Sequence, residues 1–143
     1  MRILLAGDSK QSWNIINVLL DNKQHRLTVI NTDMAYCQQL ADQYEELVIL
    51  SGDSTELPTL EEANAKKIDM VIAMSLYDSE NLVICKLCKK IFHIQNTIAI
   101  INCPQNMDIF RKLGVDTVID TNAFILSCIN RDITQDSVNV ETK

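Results

Sequence analysis

Aromatic residues make up only 5% of the 143 positions, so aliphatic side chains must fill whatever core the chain builds. No stretch reaches the ~20 consecutive apolar residues of a membrane-spanning helix. The opening Met1, Arg2, Ile3, Leu4, Leu5, Ala6 and Gly7 lacks a secretory cleavage pattern, and together these absences predict a cytoplasmic protein. Net positive charge is missing too: 13 basic against 19 acidic residues leave −6, a field that repels nucleic-acid backbones and anionic lipid surfaces. Five cysteines, an odd number without a small-scaffold spacing, predict free thiols in a reducing compartment. Glycine occurs three times in all, at Gly7, Gly52 and Gly114, too far apart to share one glycine-rich phosphate loop.

What the chain does have is hydrophobic content of 47% with 22% charged residues, the balance of one packed globular domain. Short apolar runs recur at Ile3 to Ala6, Leu27 to Ile30, Leu47 to Leu50, Met70 to Ala73, Ile98 to Ile101 and Val115 to Ile119. They are nearly continuous rather than alternating, as expected of parallel strands buried on both faces. Between them, helical spacing joins Trp13, Ile16, Leu19 and Leu20, then Leu82, Ile84, Cys85, Leu87 and Cys88, and again Met107, Phe110 and Leu113. Asp33 precedes a further helical segment through Gln43, and a short helix over Thr59 to Ala65 follows Pro58. Gly114 marks the end of the last crossover helix. Strand and helix thus alternate six times, which predicts an α/β Rossmann-like doubly wound parallel sheet of six strands with helices on both faces and ligands at the carboxyl ends of the strands. Residues 1–125 form this domain. Residues 126–143 read as the end of one more helix, Thr121 to Asn130, followed by a polar linker or tail from Arg131.

The first strand runs into Gly7, Asp8, Ser9, Lys10, Gln11 and Ser12, at the position of the turn that brings a pyrophosphate to a helix N-terminus. Only its first glycine is kept. Lys10 can meet a phosphate oxygen, while Ser9 can instead cap the helix. The second strand ends in Asn31, Thr32 and Asp33, with asparagine where such domains place the ribose-binding acid and Asp33 suited to capping the next helix. The third ends in Gly52, Asp53, Ser54 and Thr55, where Asp53 can face a base or ribose or merely cap a turn. The fourth passes through Ala73 and Met74 to Asp78, Ser79, Glu80 and Asn81, and Asn81 either meets a ligand or ties loop to loop.

Taken in order, Ile3 to Gly7, Val29 to Asp33, Gly52 to Thr55, Ala73 to Asn81 and Phe110 to Ile119 resemble the TrkA/KtrA family, the N-terminal NAD-binding domain of regulators of potassium conductance. Gly52-Asp53-Ser54-Thr55 is similar to the family's Gly-Asp-Ala-Thr, and Phe110 to Asp116 is similar to its final helix and strand. The resemblance implies a cytosolic regulatory subunit that senses NAD(H) or ATP/ADP, forms a homodimer or higher homo-oligomer, and acts on a membrane potassium transporter or channel subunit. Gly7, Lys10, Asp53, Thr55 and Asn81 match positions that the family uses for ligand; Ser9, Ser12 and Asn31 depart from its glycines and its acid. Full-length members usually carry a second domain after a linker.

Catalysis finds little support. His25 falls in a loop and His93 near a helix end, and the Cys85/Cys88 pair lies mid-helix among core residues rather than at a helix N-terminus where a thiolate is stabilised. Two alternatives stand beside the regulatory subunit: a degenerate scaffold that binds only protein, and a fragment of a pyridine-nucleotide oxidoreductase.

Overall fold

The computed structural model describes residues 1–9 and 11–141, with side-chain burial through residue 134. Six parallel strands, β1 (Arg2–Ala6), β2 (Arg26–Asn31), β3 (Val48–Ser51), β4 (Met70–Ala73), β5 (Asn96–Ile101) and β6 (Thr117–Asp120), form one sheet in the order β3-β2-β1-β4-β5-β6. The chain winds outward from β1 in one direction, then returns to start again beside it at β4. That reversal is the switch point at which ligands bind in such sheets. The predicted fold class is therefore the one observed.

Helices α1 (Ser12–Asp21) and α2 (Met34–Gln43) cover one face; α3 (Leu57–Glu62), α4 (Asp78–Lys90) and α5 (Met107–Lys112) cover the other. The sequence explains the division. Along β1, Ile3 and Leu5 point towards Ile16 of α1 and Leu40 of α2, whereas Leu4 and Ala6 point towards Leu60, Ile84, Cys85 and Phe110. All four strand residues are buried, which is why the run carries no polar alternation.

Several boundaries differ from the sequence reading. α3 begins at Leu57, with Pro58 in its first turn, and stops at Glu62 because Asn64 turns left-handed at φ 60° and starts a separate 3-10 turn over Ala65–Lys67. β6 starts at Thr117 rather than Val115, because Val115 closes α5: its N–H bonds the Phe110 carbonyl while the Gly114 N–H bonds that of Arg111. Gly114 takes φ +93° at this helix stop, as its position predicted. The largest difference is the tail. α6 (Thr121–Glu141) continues as helix through Arg131, where a polar linker was expected. Its apolar residues Phe124, Leu126, Ile129 and Ile133 stand in solvent, and from Arg131 on the sequence is mostly polar, so no apolar run announced the helix there.

Candidate functional site

The switch point is built around Gly7. At φ +123° it occupies backbone space closed to other residues, and a Cβ there would lie 2.2 Å from the Ser75 nitrogen and 2.5 Å from the Met74 carbonyl carbon. The turn after β1 therefore lies directly on the turn after β4. Two backbone bonds fix the contact, Ser9 N–H to the Met74 carbonyl at 3.0 Å and Met74 N–H to the Ala6 carbonyl at 2.7 Å, while the Gly7 N–H bonds the Ile30 carbonyl of β2 at 3.2 Å. α1 then starts with neither a side-chain cap nor an acidic residue in its first turn. Its N-terminal N–H groups and positive dipole end are left without an internal counter-charge, as an anion-accepting helix requires.

Asp8 turns from this loop to the neighbouring strand end, where its carboxylate accepts from the Thr32 N–H at 2.9 Å and from the Thr32 hydroxyl. At the end of β3, Asp53 Oδ1 accepts from the N–H and the hydroxyl of Thr55, at 2.9 and 2.7 Å, forming a tight turn that leads into α3. Between these turns lies a small cleft of about 60 Å³ lined by Gly7, Asp8, Thr32, Asp53, Ser54, Thr55, Ser75, Glu80 and Ile84. Six of the predicted site residues meet there. Ser75, Glu80 and Ile84 complete it without having been counted as ligand contacts. The Ser75 hydroxyl donates to the Glu80 carboxylate, so a third acid joins Asp8 and Asp53 around the cavity.

The remaining candidates are placed elsewhere. Asn31 is buried, donating to the Gly7 carbonyl at 3.5 Å and accepting from the Asp33 N–H at 2.8 Å. Its amide holds the two turns together rather than facing the cavity. Asp33 caps α2, accepting from the N–H groups of Ala35 and Tyr36. Ser12, buried where the family has a glycine, shares a 2.7 Å hydrogen bond with the Tyr36 hydroxyl, which joins α1 to α2 beside the Trp13–Tyr36 ring pair. The Ser9 hydroxyl accepts from the Gln11 N–H at 3.3 Å, a local turn contact. Gly52 donates to the Asn31 carbonyl, and Ala73 and Met74 are buried in the sheet and its following turn. Asn81 is fully buried and takes the loop-to-loop role: it accepts from Ser75 N–H at 2.7 Å and donates to the Ser75 and Ile100 carbonyls at 3.1 and 2.7 Å. Lys10 lies outside the described residues.

Asp78, the first residue of α4, reaches to the end of the neighbouring strand, accepting from the N–H groups of Asn102 and Cys103 and from the Asn106 amide. Burial pushes the Cys85 and Cys88 thiols up to about 12, which makes them inert core residues. Of the lysines on α4, Lys86 donates to the Leu113 carbonyl and Lys89 pairs with Asp116 at 2.5 Å. Among the described residues no cluster of His, Cys, Asp or Glu could hold a metal ion.

The TrkA-N domain model matches residues 3–121 of this chain. A Trk system potassium uptake protein TrkA homolog from Methanothermobacter thermautotrophicus is 29% identical over 138 residues, an alignment covering 96% of this chain and 62% of that protein. The chain thus spans less than two thirds of its relative's length. Among solved structures, the TrkA-N domain of the inner membrane protein ybaL from Escherichia coli superposes with a TM-score of 0.82 at 15% identity, covering 91% of this chain and 94% of that one. The GsuK channel bound to NAD superposes with a TM-score of 0.70 at 20% identity, covering 82% of this chain and 21% of that one, and GsuK has also been solved bound to ADP. With the family model matching residues 3–121, nearly the whole of the six-stranded parallel sheet, the chain belongs to the TrkA-N domain family.

Proposed function

We propose that this chain is a cytoplasmic nucleotide-sensing regulatory domain of a potassium uptake system or channel, taking NAD(H) or ATP/ADP at the switch point and acting on a membrane-embedded transporter subunit. The TrkA-N match over residues 3–121 carries the reading. It is supported by the name of the Methanothermobacter relative and by the nucleotides held in GsuK.

The geometry supplies a mechanism. Phosphates approach the Gly7 turn and the uncapped start of α1, while Asp53 and Thr55 serve the adenosine ribose in place of Asn31, whose amide is committed to the backbone. A cavity of about 60 Å³ is far below the roughly 300 Å³ at which ligand pockets begin. Entry of a nucleotide therefore parts the β1 and β3 turns and breaks the Asp8–Thr32 pair. A ligand that favours the parted arrangement shifts its population, the step a sensor needs. Sensing rather than catalysis fits the remaining chemistry. The Cys85 and Cys88 thiols are held protonated, and His25 and His93 both lie towards the amino ends of the strands, away from the cleft.

A thermal-shift titration of the chain with NAD, NADH, ATP, ADP and AMP tests the reading. At ~100 times Kd, selective binding adds about 2.7 kcal/mol, a rise in Tm of several degrees. Glu80→Gln, which removes one acid facing the phosphates, is expected to increase the shift; Asp53→Asn is expected to reduce it. No shift with any of the five nucleotides would leave the protein-binding scaffold as the better account.

A further inference from the structure

A second cleft opens at the opposite end of the sheet, beneath the amino ends of β1, β2 and β3, with a volume of about 720 Å³. That is within the usual range for small-molecule sites and far larger than the nucleotide cleft. Its walls carry Arg2, Lys23, Arg26 and Lys67. These cations come from β1, the α1–β2 loop, β2 and the 3-10 turn, so folding rather than a basic run of sequence brings them together.

In a chain of net charge −6 this concentration of positive charge opposes the overall composition. Glu46 and Glu62 also line the cleft, leaving four cations against two carboxylates, a net of two positive charges. Among the described residues the one ion pair is Lys89–Asp116, so none of the four cations is within salt-bridge distance of either acid. The floor is apolar, formed by Leu27, Ala63 and Ile68, with Val48 59% exposed at the rim. Beside it, His25 keeps a buried ring Nδ1 without a hydrogen-bond partner.

We propose that this cleft binds a soluble organic anion composed of a carboxylate-like head and an apolar body. The unpaired cations suit the head and the aliphatic floor suits the body. A purely polar anion such as inorganic phosphate leaves the floor wet, and a neutral hydrocarbon leaves the cations unanswered. The modest net charge favours a monoanion over a polyphosphate, which separates this site chemically from the nucleotide turns.

The test is a backbone amide NMR titration of the full chain with octanoate, 1-octanol and inorganic phosphate as probes. Octanoate is expected to give saturable shifts at Arg2, Arg26 and Lys67, binding about tenfold more tightly than 1-octanol, with phosphate weaker still. Arg26→Gln combined with Lys67→Gln alters two exposed side chains and is expected to weaken octanoate about tenfold while leaving the rest of the spectrum in place. Should that pair disturb folding, Arg2→Gln with Lys23→Gln makes the same demand. Equal binding of octanoate and 1-octanol, indifference to both charge-removing pairs, shifts centred on α6 or on the nucleotide turns, or no saturable shift would each overturn the proposal. Nucleotide binding is read separately, so failure here leaves the switch-point reading intact.

Discussion

Gly7 is where local conformation and long-range packing impose the same requirement. Its φ of +123° excludes other residues on backbone grounds, and the 2.2 Å approach to Ser75 excludes them on contact grounds. Gly7→Ala must therefore twist the first turn and push the β4–α4 turn aside, at a cost of about 3 kcal/mol or more. Denaturant unfolding checks this; a loss below ~1 kcal/mol would mean that the two turns separate easily. The importance of Gly7 was legible in the sequence because a lone glycine after the first strand has few other uses. The roles of Asn31 and Asn81 were not. Asn31 ends β2 and Asn81 sits in the first turn of α4, and at both a ligand contact and a backbone tie need the same amide, so only burial with two or three backbone partners decides between them. Glu80 escaped for a related reason: on a helix, one residue's shift in phase decides which side chain enters the cleft.

At the scale of elements, the strands were legible because burial on both faces leaves little room for polar residues, and β4 and β5 begin and end close to their apolar runs. Helix ends were less so, since long-range contacts decide them. Asp116 shows how such a contact stabilises a junction. Its carboxylate takes the N–H and hydroxyl of Thr97 at 2.9 Å each and pairs with Lys89, so the start of β5, the loop before β6 and the last turn of α4 meet on one side chain. Partial burial works against the charge, but the Lys89 ammonium and the Thr97 bonds outweigh it and hold the carboxyl below its ordinary range. A depressed folded-state value stabilises the fold above the ordinary carboxylate range, and that stability is lost as pH falls through the depressed value. Asp116→Asn is accordingly expected to cost at most about 1 kcal/mol at neutral pH, since the pair is partly exposed to solvent. The difference from the parent should vanish on acidification. A pH-independent difference in unfolding free energy would assign the effect to packing instead.

At the scale of the molecule, two apolar surfaces lack a cover. On the α1/α2 face, β4 to β6 extend beyond the helices, leaving Ile72, Ile98 and Ile100 half-buried and Ile119 39% exposed. α6 leaves the sheet with Phe124 69% and Leu126 58% exposed, and Ile129 and Ile133 continue the stripe at helical spacing. Most of a helix's stability in a protein comes from packing its apolar face, and one with its apolar stripe in solvent gains nothing from burial. Both surfaces are satisfied at once if two chains pair symmetrically, each supplying a helix to the other, because a two-fold arrangement makes every such contact twice. The homodimer or higher oligomer that the family resemblance implies would then rest on α6, and the same packing would give a route by which parting of the switch-point turns reaches a partner. Light scattering coupled to size exclusion is expected to give twice the 16.2 kDa chain mass for the parent protein. Leu126→Glu with Ile133→Glu should return the single-chain mass while leaving the core folded, because both positions are solvent-exposed within one chain. A parent protein that stays monomeric at tens of micromolar, or a double variant that stays dimeric, would place the interface elsewhere and leave the exposure of α6 to be explained by a different partner.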